Sequence, residues 1–411
     1  MAAAAHRVPD RVGAADFPCF DGLRAIAAVS VAITHAGFVS GFNITSDTFG
    51  PLTARLDIGV AIFFVISGFL LYRPFAAARL TNEAGPAVLP YARRRALRIF
   101  PAYWVALTAV LLIPALRWNN DGANVDGLDW VAHYSLVHTY HLRFDLIPVQ
   151  QAWTLVTEIA FYVMLPIWAA VLRRFSGTPH QRLRHELIGL GVLFGIGLAS
   201  RTFVLFAIDN PAWRGTINLW LPPRLDHFAL GMLLAVGSVW FREHNREPAW
   251  ARHRVFPYAS WAVAALTFWY ISFGFGLQDY RGQGFFSLRQ EWFMLLLWGI
   301  VGVATVAPAV FGDQSSSAIH RLLRVPPMVY CGMISYGIYL WHEAALDLLI
   351  RWKDLEVNGL IRPYGLPRVS AFMFAMTIPL AVASYRLIER PALSLKSRPV
   401  RQWFSRRGVP A

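Results

Sequence analysis

The sequence predicts an all-α, polytopic membrane protein with about ten transmembrane helices and both termini on the cytoplasmic side. Three observations lead there. Of 411 residues, 56% are hydrophobic and only 15% are charged, against about 25% charged in soluble domains. A water-soluble globule of this size has nowhere to hide so much apolar surface. The apolar residues also gather into ten runs near the roughly 20-residue length that crosses a bilayer as a helix. Finally, Lys and Arg crowd alternate loops, the asymmetry that orients membrane proteins: 24 of the 38 basic residues fall on the side assigned to the cytoplasm. The net charge of +14 therefore reads as membrane orientation, and no nucleic-acid partner is expected. Disorder is excluded by the hydrophobicity. Cys19 and Cys331 form neither a disulfide framework nor a zinc spacing.

A polar lead, residues 1–19, precedes the first run, so no cleavable secretory signal is expected. The runs lie near 20–40, 57–78, 99–117, 151–173, 187–208, 224–241, 257–276, 291–311, 328–350 and 368–389. Between the third and fourth, a stretch near 130–142 holds His133, His138 and His141. It is too short and polar to span and reads as one re-entrant or interfacial helix. The loop before it carries Asp121, Asp126 and Asp129 and no base, as an outer loop should. The loop 351–368, with four basic residues, is the poorest fit to this orientation. Residues 20–390 then form one membrane domain, and 391–411 a basic cytoplasmic tail.

Ionisable groups inside a bilayer are costly and mark candidate functional sites. The first run holds Asp21, Arg24 and His35. Eleven helical residues advance about 1100°, some 20° past three turns, and rise about 16 Å, so Arg24 and His35 share a face near opposite ends. A snorkelling arginine and a packing histidine are the plain alternative. The second run holds Phe63-Phe64-Val65-Ile66-Ser67-Gly68-Phe69, where Ser67 and Gly68 allow close helix approach. Ahead of the third run stands Arg93-Arg94-Arg95-Ala96-Leu97-Arg98-Ile99-Phe100-Pro101. Arg98 shares a helix face with Arg94 and Arg95. A helix start with arginines makes a phosphate cradle, or a plain anchor on anionic lipid. The fourth run, from Trp153 to Tyr162, buries Glu158, which needs a partner, a proton or a ligand. The ninth carries Ser335-Tyr336-Gly337-Ile338-Tyr339-Leu340-Trp341-His342-Glu343, and the last closes on Glu389-Arg390-Pro391; both also suit interfacial anchoring.

These clusters together, in this order from about Phe20 to Pro391, resemble the membrane acyltransferase-3 family of integral membrane O-acyltransferases. The resemblance rests on Phe20-Asp21-Gly22-Leu23-Arg24 with His35, the Phe63–Phe69 stretch, and Arg95-x-x-Arg98-Ile99-x-Pro101. It continues in Trp153–Tyr162, in Ser335-Tyr336-x-x-Tyr339-Leu340-Trp341-His342 and in Glu389-Arg390-Pro391. Where relatives often carry two adjacent acids, this chain has Glu158-Ile159. No fused periplasmic esterase-like domain accompanies the motifs, so a stand-alone member is expected.

The resemblance implies transfer of an acyl group, acetyl by default, from cytoplasmic acyl-CoA to a hydroxyl of an envelope glycan, glycolipid or secondary metabolite, at the inner (plasma) membrane. Catalytic candidates are His35, as base or acyl relay, with Arg24 and Glu158. Donor phosphates fall to Arg94, Arg95 and Arg98. Ser67, Trp153, Tyr162, Tyr339 and His342 are expected to line the acceptor site or the pocket. No metal and no permanently bound cofactor are expected; membrane lipid is the other partner. On the residues alone, a transporter or flippase of a glycolipid or small molecule stays open, because ten helices with buried charge suit it equally.

Overall fold

In the computed structural model, which describes residues 17–113, 116, 127–142, 149–274, 287–315, 317–352 and 365–397, each of the ten runs forms a helix. These are α1 (Phe20–Val39), α2 (Gly59–Leu80), α3 (Val88–Leu112), α4 (Trp153–Arg173), α5 (Pro179–Ala207), α6 (Leu225–Glu243), α7 (Phe256–Phe273), α8 (Leu288–Val306), α9 (Ser335–Trp352) and α10 (Gly365–Ser384). Among the described residues there is no strand. Seven helices, α1 to α5, α8 and α10, are long and apolar enough to cross a membrane. The other three are diluted by polar or amphipathic residues: Asp226 and His227 in α6, Tyr and Trp in α7, and His342, Glu343, Asp347 and Arg351 in α9. The short segment before α4 forms a helix over Gly127–Tyr134 and a tight turn at His138–Tyr140. Most of the acidic loop 118–129, the lead through residue 16 and the tail beyond 397 lie outside the described residues.

Three boundaries differ markedly from the hydropathy reading. Helix α3 begins at Val88, well before residue 99, because the Arg93–Arg98 stretch is helical although polar, with Pro90 in its first turn. The ninth run is broken at Ile334 into a short helix, Pro326–Met333, and α9. Hydropathy detects the cost of leaving water; it does not detect where backbone hydrogen bonding starts or breaks. Helix α5 begins at Pro179, ahead of its run, and its start, like that of α8, is locally encoded. Thr178 accepts from the Gln181 amide while the Gln181 side chain accepts from the Thr178 amide, and Ser287 and Gln290 repeat this capping box at α8.

A close crossing joins α2 to α6. A Cβ on Gly68 would collide with the Phe228 carbonyl, and one on Gly231 with the Val65 carbonyl. Beside them Phe228 stacks on Phe64 at 4.6 Å and on Phe161 at 4.1 Å between centroids. Small residues and aromatic rings thus bind α2, α4 and α6 by van der Waals packing, the force available between helices in lipid. Charge is buried here too. Fully buried Arg201 of α5 donates to both Asp226 oxygens at 2.7 Å and to the Pro223 carbonyl at 2.9 Å. Neighbouring His227 contacts the Leu295 carbonyl of α8 at 2.8 Å. Removing one member of such a pair costs about 3–5 kcal/mol, whereas an apolar replacement of both is often neutral. Arg201→Ala is therefore expected to lower the thermal midpoint in detergent sharply, and Arg201→Met with Asp226→Leu to recover most of the loss.

Candidate active site

A narrow cavity of about 130 Å³ runs between α2, α3, α4 and α9. One end is basic, with Arg24, Arg95 and Arg98 in its wall. Its lining on α2 extends from Val60 to Leu71, eleven residues or about 16 Å of helix, roughly half of a 30 Å hydrocarbon core. At the basic end Arg24 pairs with Asp21 at 2.9 Å, and Arg98 lies 3.9 Å from buried Glu389. The Arg95 guanidinium lies over the rings of Tyr162 and Tyr91 at 5.9 and 6.0 Å. Midway, Ser67 donates to Glu158 at 2.6 Å, and Tyr162 bonds the same carboxylate. At the far end stand Thr154 and Tyr339, whose hydroxyls are 2.8 Å apart.

Beyond Tyr339 lies a histidine cluster. The Tyr339 and His342 ring centroids are 5.9 Å apart. His35 Nδ1 sits 2.9 Å from Glu343 Oε1 and 2.8 Å from His342 Nε2. His342 Nδ1 lies 3.1 Å from the Ile338 carbonyl. These contacts fix the tautomers of neutral rings. A carbonyl only accepts, so His342 carries its proton on Nδ1 and offers Nε2 as an acceptor. His35 then faces two acceptors with Nδ1, so its proton is there and Nε2 keeps the lone pair. That is the arrangement of a general base oriented by a carboxylate.

Gln151, just ahead of α4, locks the cluster in place. Its side-chain amide donates to the Tyr339 and Leu340 carbonyls at 3.0 and 2.8 Å, and its backbone N–H bonds Glu343. Asp57, at the entry to α2, adds a further negative charge near His35.

The expected catalytic set is thus split. His35 has the geometry of a base, but its carboxylate is Glu343, and Glu158 is bonded to Ser67 and Tyr162 instead. Arg24 lies at the basic end, about 16 Å along α1 from His35. Ser67, Tyr162 and Tyr339 line the cavity, while His342 belongs to the histidine cluster. Arg94 and Trp153 are not in the cavity wall; Trp153 lies under the Arg224 guanidinium at 5.6 Å. Glu343, Gln151 and Asp57 were not singled out as site residues from the sequence. The signal for Glu343 was present, since it directly follows His342 in the ninth-run motif.

The short segment before α4 buries a second histidine pair, His133 and His138, stacked at 4.7 Å between centroids. Burial holds His133 down to about 4, and burial with the His133 charge holds His138 down to about 3. The unfolded chain takes up these protons below about 6.5, while the folded chain does not until pH 3–4. The unfolded state therefore binds more protons across that window, and stability falls as pH drops through it. The thermal midpoint is expected to fall between pH 6.5 and 4, and to fall less in a His133→Gln, His138→Gln chain.

Comparison with known proteins places the sequence in a family. The sequence profile of the acyltransferase domain, type 3, matches residues 17–386. The chain belongs to the acyltransferase-3 family. The peptidoglycan O-acetyltransferase OatA of Listeria monocytogenes is 24% identical over 425 residues, covering 96% of this chain and 61% of that protein. A protein of Staphylococcus aureus strain COL, provisionally named an O-acetyltransferase, is 25% identical and covers 91% of this chain and 57% of its own length. BcsY of Komagataeibacter xylinus, provisionally named a membrane-bound transacylase, is 25% identical, with 92% and 83% covered. This acyltransferase-3 chain thus spans about three fifths of the length of the first two relatives. No solved structure matches it.

Proposed function

We propose that this membrane acyltransferase moves an acetyl group from cytoplasmic acetyl-CoA to a hydroxyl of an envelope glycan at the plasma membrane. One observation carries the reading: a narrow cavity leads from an arginine-lined end toward a histidine whose basic nitrogen is left bare by Glu343 and His342. Arg95 and Arg98 hold donor phosphates by charge-assisted hydrogen bonds. The thin pantetheine arm follows the cavity past Ser67 and Glu158, bringing the thioester toward Tyr339. The acceptor hydroxyl approaches from the opposite face. His35 Nε2 takes its proton as the oxygen attacks the thioester carbon. The tetrahedral intermediate then expels the CoA thiolate, which recovers that proton from His35, and the acetyl ester remains on the acceptor. Glu343 stabilises the transient imidazolium. Acetyl as the cargo is supported by the names of OatA and the Staphylococcus protein, and a glycan as the acceptor by that of OatA alone.

The test is release of free CoA by purified protein in detergent, with acetyl-CoA and glycan fragments supplied. Thiol release that depends on a hydroxyl acceptor, with one acetyl mass added to the glycan, is expected. Glycan left unmodified while acetyl-CoA stays intact would overturn the proposal.

A further inference from the structure

The cluster around His35 has a second capability that sequence spacing hides, because His35 and His342 are 307 positions apart. We propose that His35, His342 and Glu343 form a binding site for Zn²⁺, and that the metal-loaded site is inactive in acyl transfer. The inhibition rests on the function proposed above; the metal binding does not.

Three observations carry this. His35 Nδ1, His342 Nε2 and a Glu343 carboxylate oxygen all lie within 4.8 Å of one another. Two imidazoles with one carboxylate are a donor set that Zn²⁺ takes, at about 2.0–2.2 Å per bond and with a fourth position open. Tetrahedral bonds of that length separate neighbouring donor atoms by about 3.3 Å. The observed 2.8 and 2.9 Å contacts need to open by only a few tenths of an ångström. The lone pair of His342 Nε2 already points at the site, because its Nδ1 proton is held by the Ile338 carbonyl. The Gln151 amide braces Glu343. Such outer contacts orient metal ligands and raise affinity. The cluster is also shielded, with His342 fully buried and the side chains of His35 and Glu343 only 29% and 18% exposed.

The same geometry makes metal binding and base catalysis exclusive. In the metal-free cluster His35 has its proton on Nδ1 and its lone pair on Nε2. When Zn²⁺ enters, Nδ1 gives its lone pair to the metal. Its proton is lost, and the neutral ring carries one on Nε2, so no net proton is released. Nε2–H donates and no longer accepts, so the acceptor hydroxyl keeps its proton. Mg²⁺ and Ca²⁺ prefer oxygen ligands in larger numbers and are not expected to compete.

The test uses the full chain in detergent, stripped with EDTA and titrated with Zn²⁺ against a fluorescent chelator. One tight site per chain is expected. His342→Ala should weaken it at least about tenfold, the scale on which metal sites respond to loss of their supporting groups. His244→Ala, an exposed histidine elsewhere, should leave it unchanged. Unaltered affinity in His342→Ala would overturn the site. If that variant fails to elute as a folded monodisperse species, the native chain loaded with Co²⁺ decides. Visible absorption of a four-coordinate site, lost in Glu343→Gln, supports the proposal, and its absence from the native chain overturns it. CoA release should fall in step with Zn²⁺ occupancy and return with EDTA. A Zn²⁺-saturated site that still turns over would overturn the exclusion while leaving the binding site standing.

Discussion

A His35→Ala chain is expected to lose acyl transfer by at least about 1,000-fold while still binding acetyl-CoA. General base catalysis alone contributes about 10²–10⁴, and no other described side chain in the cluster offers a bare nitrogen, since the His342 lone pair is turned toward His35. The donor contacts proposed above lie along the cavity toward the arginines and would be untouched by the change. Glu343→Gln keeps the shape of the cluster but removes the charge that stabilises the imidazolium, and is expected to cost about 100-fold or more. Residues acting as a unit are strongly non-additive, so the double variant should be scarcely slower than His35→Ala. The measurements are CoA release for turnover and calorimetry for donor affinity. Normal turnover in His35→Ala would remove the base from the mechanism. Strictly multiplicative losses in the double variant would mean that Glu343 acts elsewhere.

The apolar runs announced the helices because crossing a bilayer imposes a length and a composition on each one. Composition did not announce the first eleven residues of α3 or the break at Ile334, which depend on hydrogen bonding inside otherwise mixed sequence. At the site, His35 stood out as an imidazole among small apolar residues. Glu158 stood out for the same reason, but the rule that a buried carboxylate needs a partner does not say which one. Its partner Ser67 is 91 positions away on another helix. Glu343 stood in the ninth-run motif beside His342, but that polar end of α9, which continues into Asp347 and Arg351, also suits a membrane-edge anchor. Gln151 was hidden by lying ahead of its helix, where a polar side chain attracts no attention until the carbonyls of Tyr339 and Leu340 are seen to meet it.

Replacing both Arg95 and Arg98 by Ala is expected to raise the donor KM by about 100-fold or more, with a much smaller change in kcat. A hydrogen bond to a charged group contributes about 1.5–3 kcal/mol, so two of them account for that factor even after solvent screening at a partly open mouth. The separation of parameters follows from the length of the cavity. In the proposed mechanism the arginines would touch only the phosphorylated end of the donor, which does not change as the thioester reacts, so their contribution would be the same in ground and transition states and would appear in KM alone. Two further readings discriminate this from a lipid anchor. Raising salt should weaken donor binding in the native chain and have little effect in the variant, because the screened charges are gone. Removing the 3′-phosphate from the donor should cost the native chain more than the variant. If the arginines served only to hold anionic lipid, donor KM would stay put and the variant would instead lose stability on moving from anionic to neutral lipid. Arg98 adds an internal control. Its neighbour Glu389 lies 3.9 Å away; on the proposed mechanism it would compete with the donor for the same guanidinium, so Glu389→Gln should lower the donor KM in the native chain and leave Arg98→Ala unmoved.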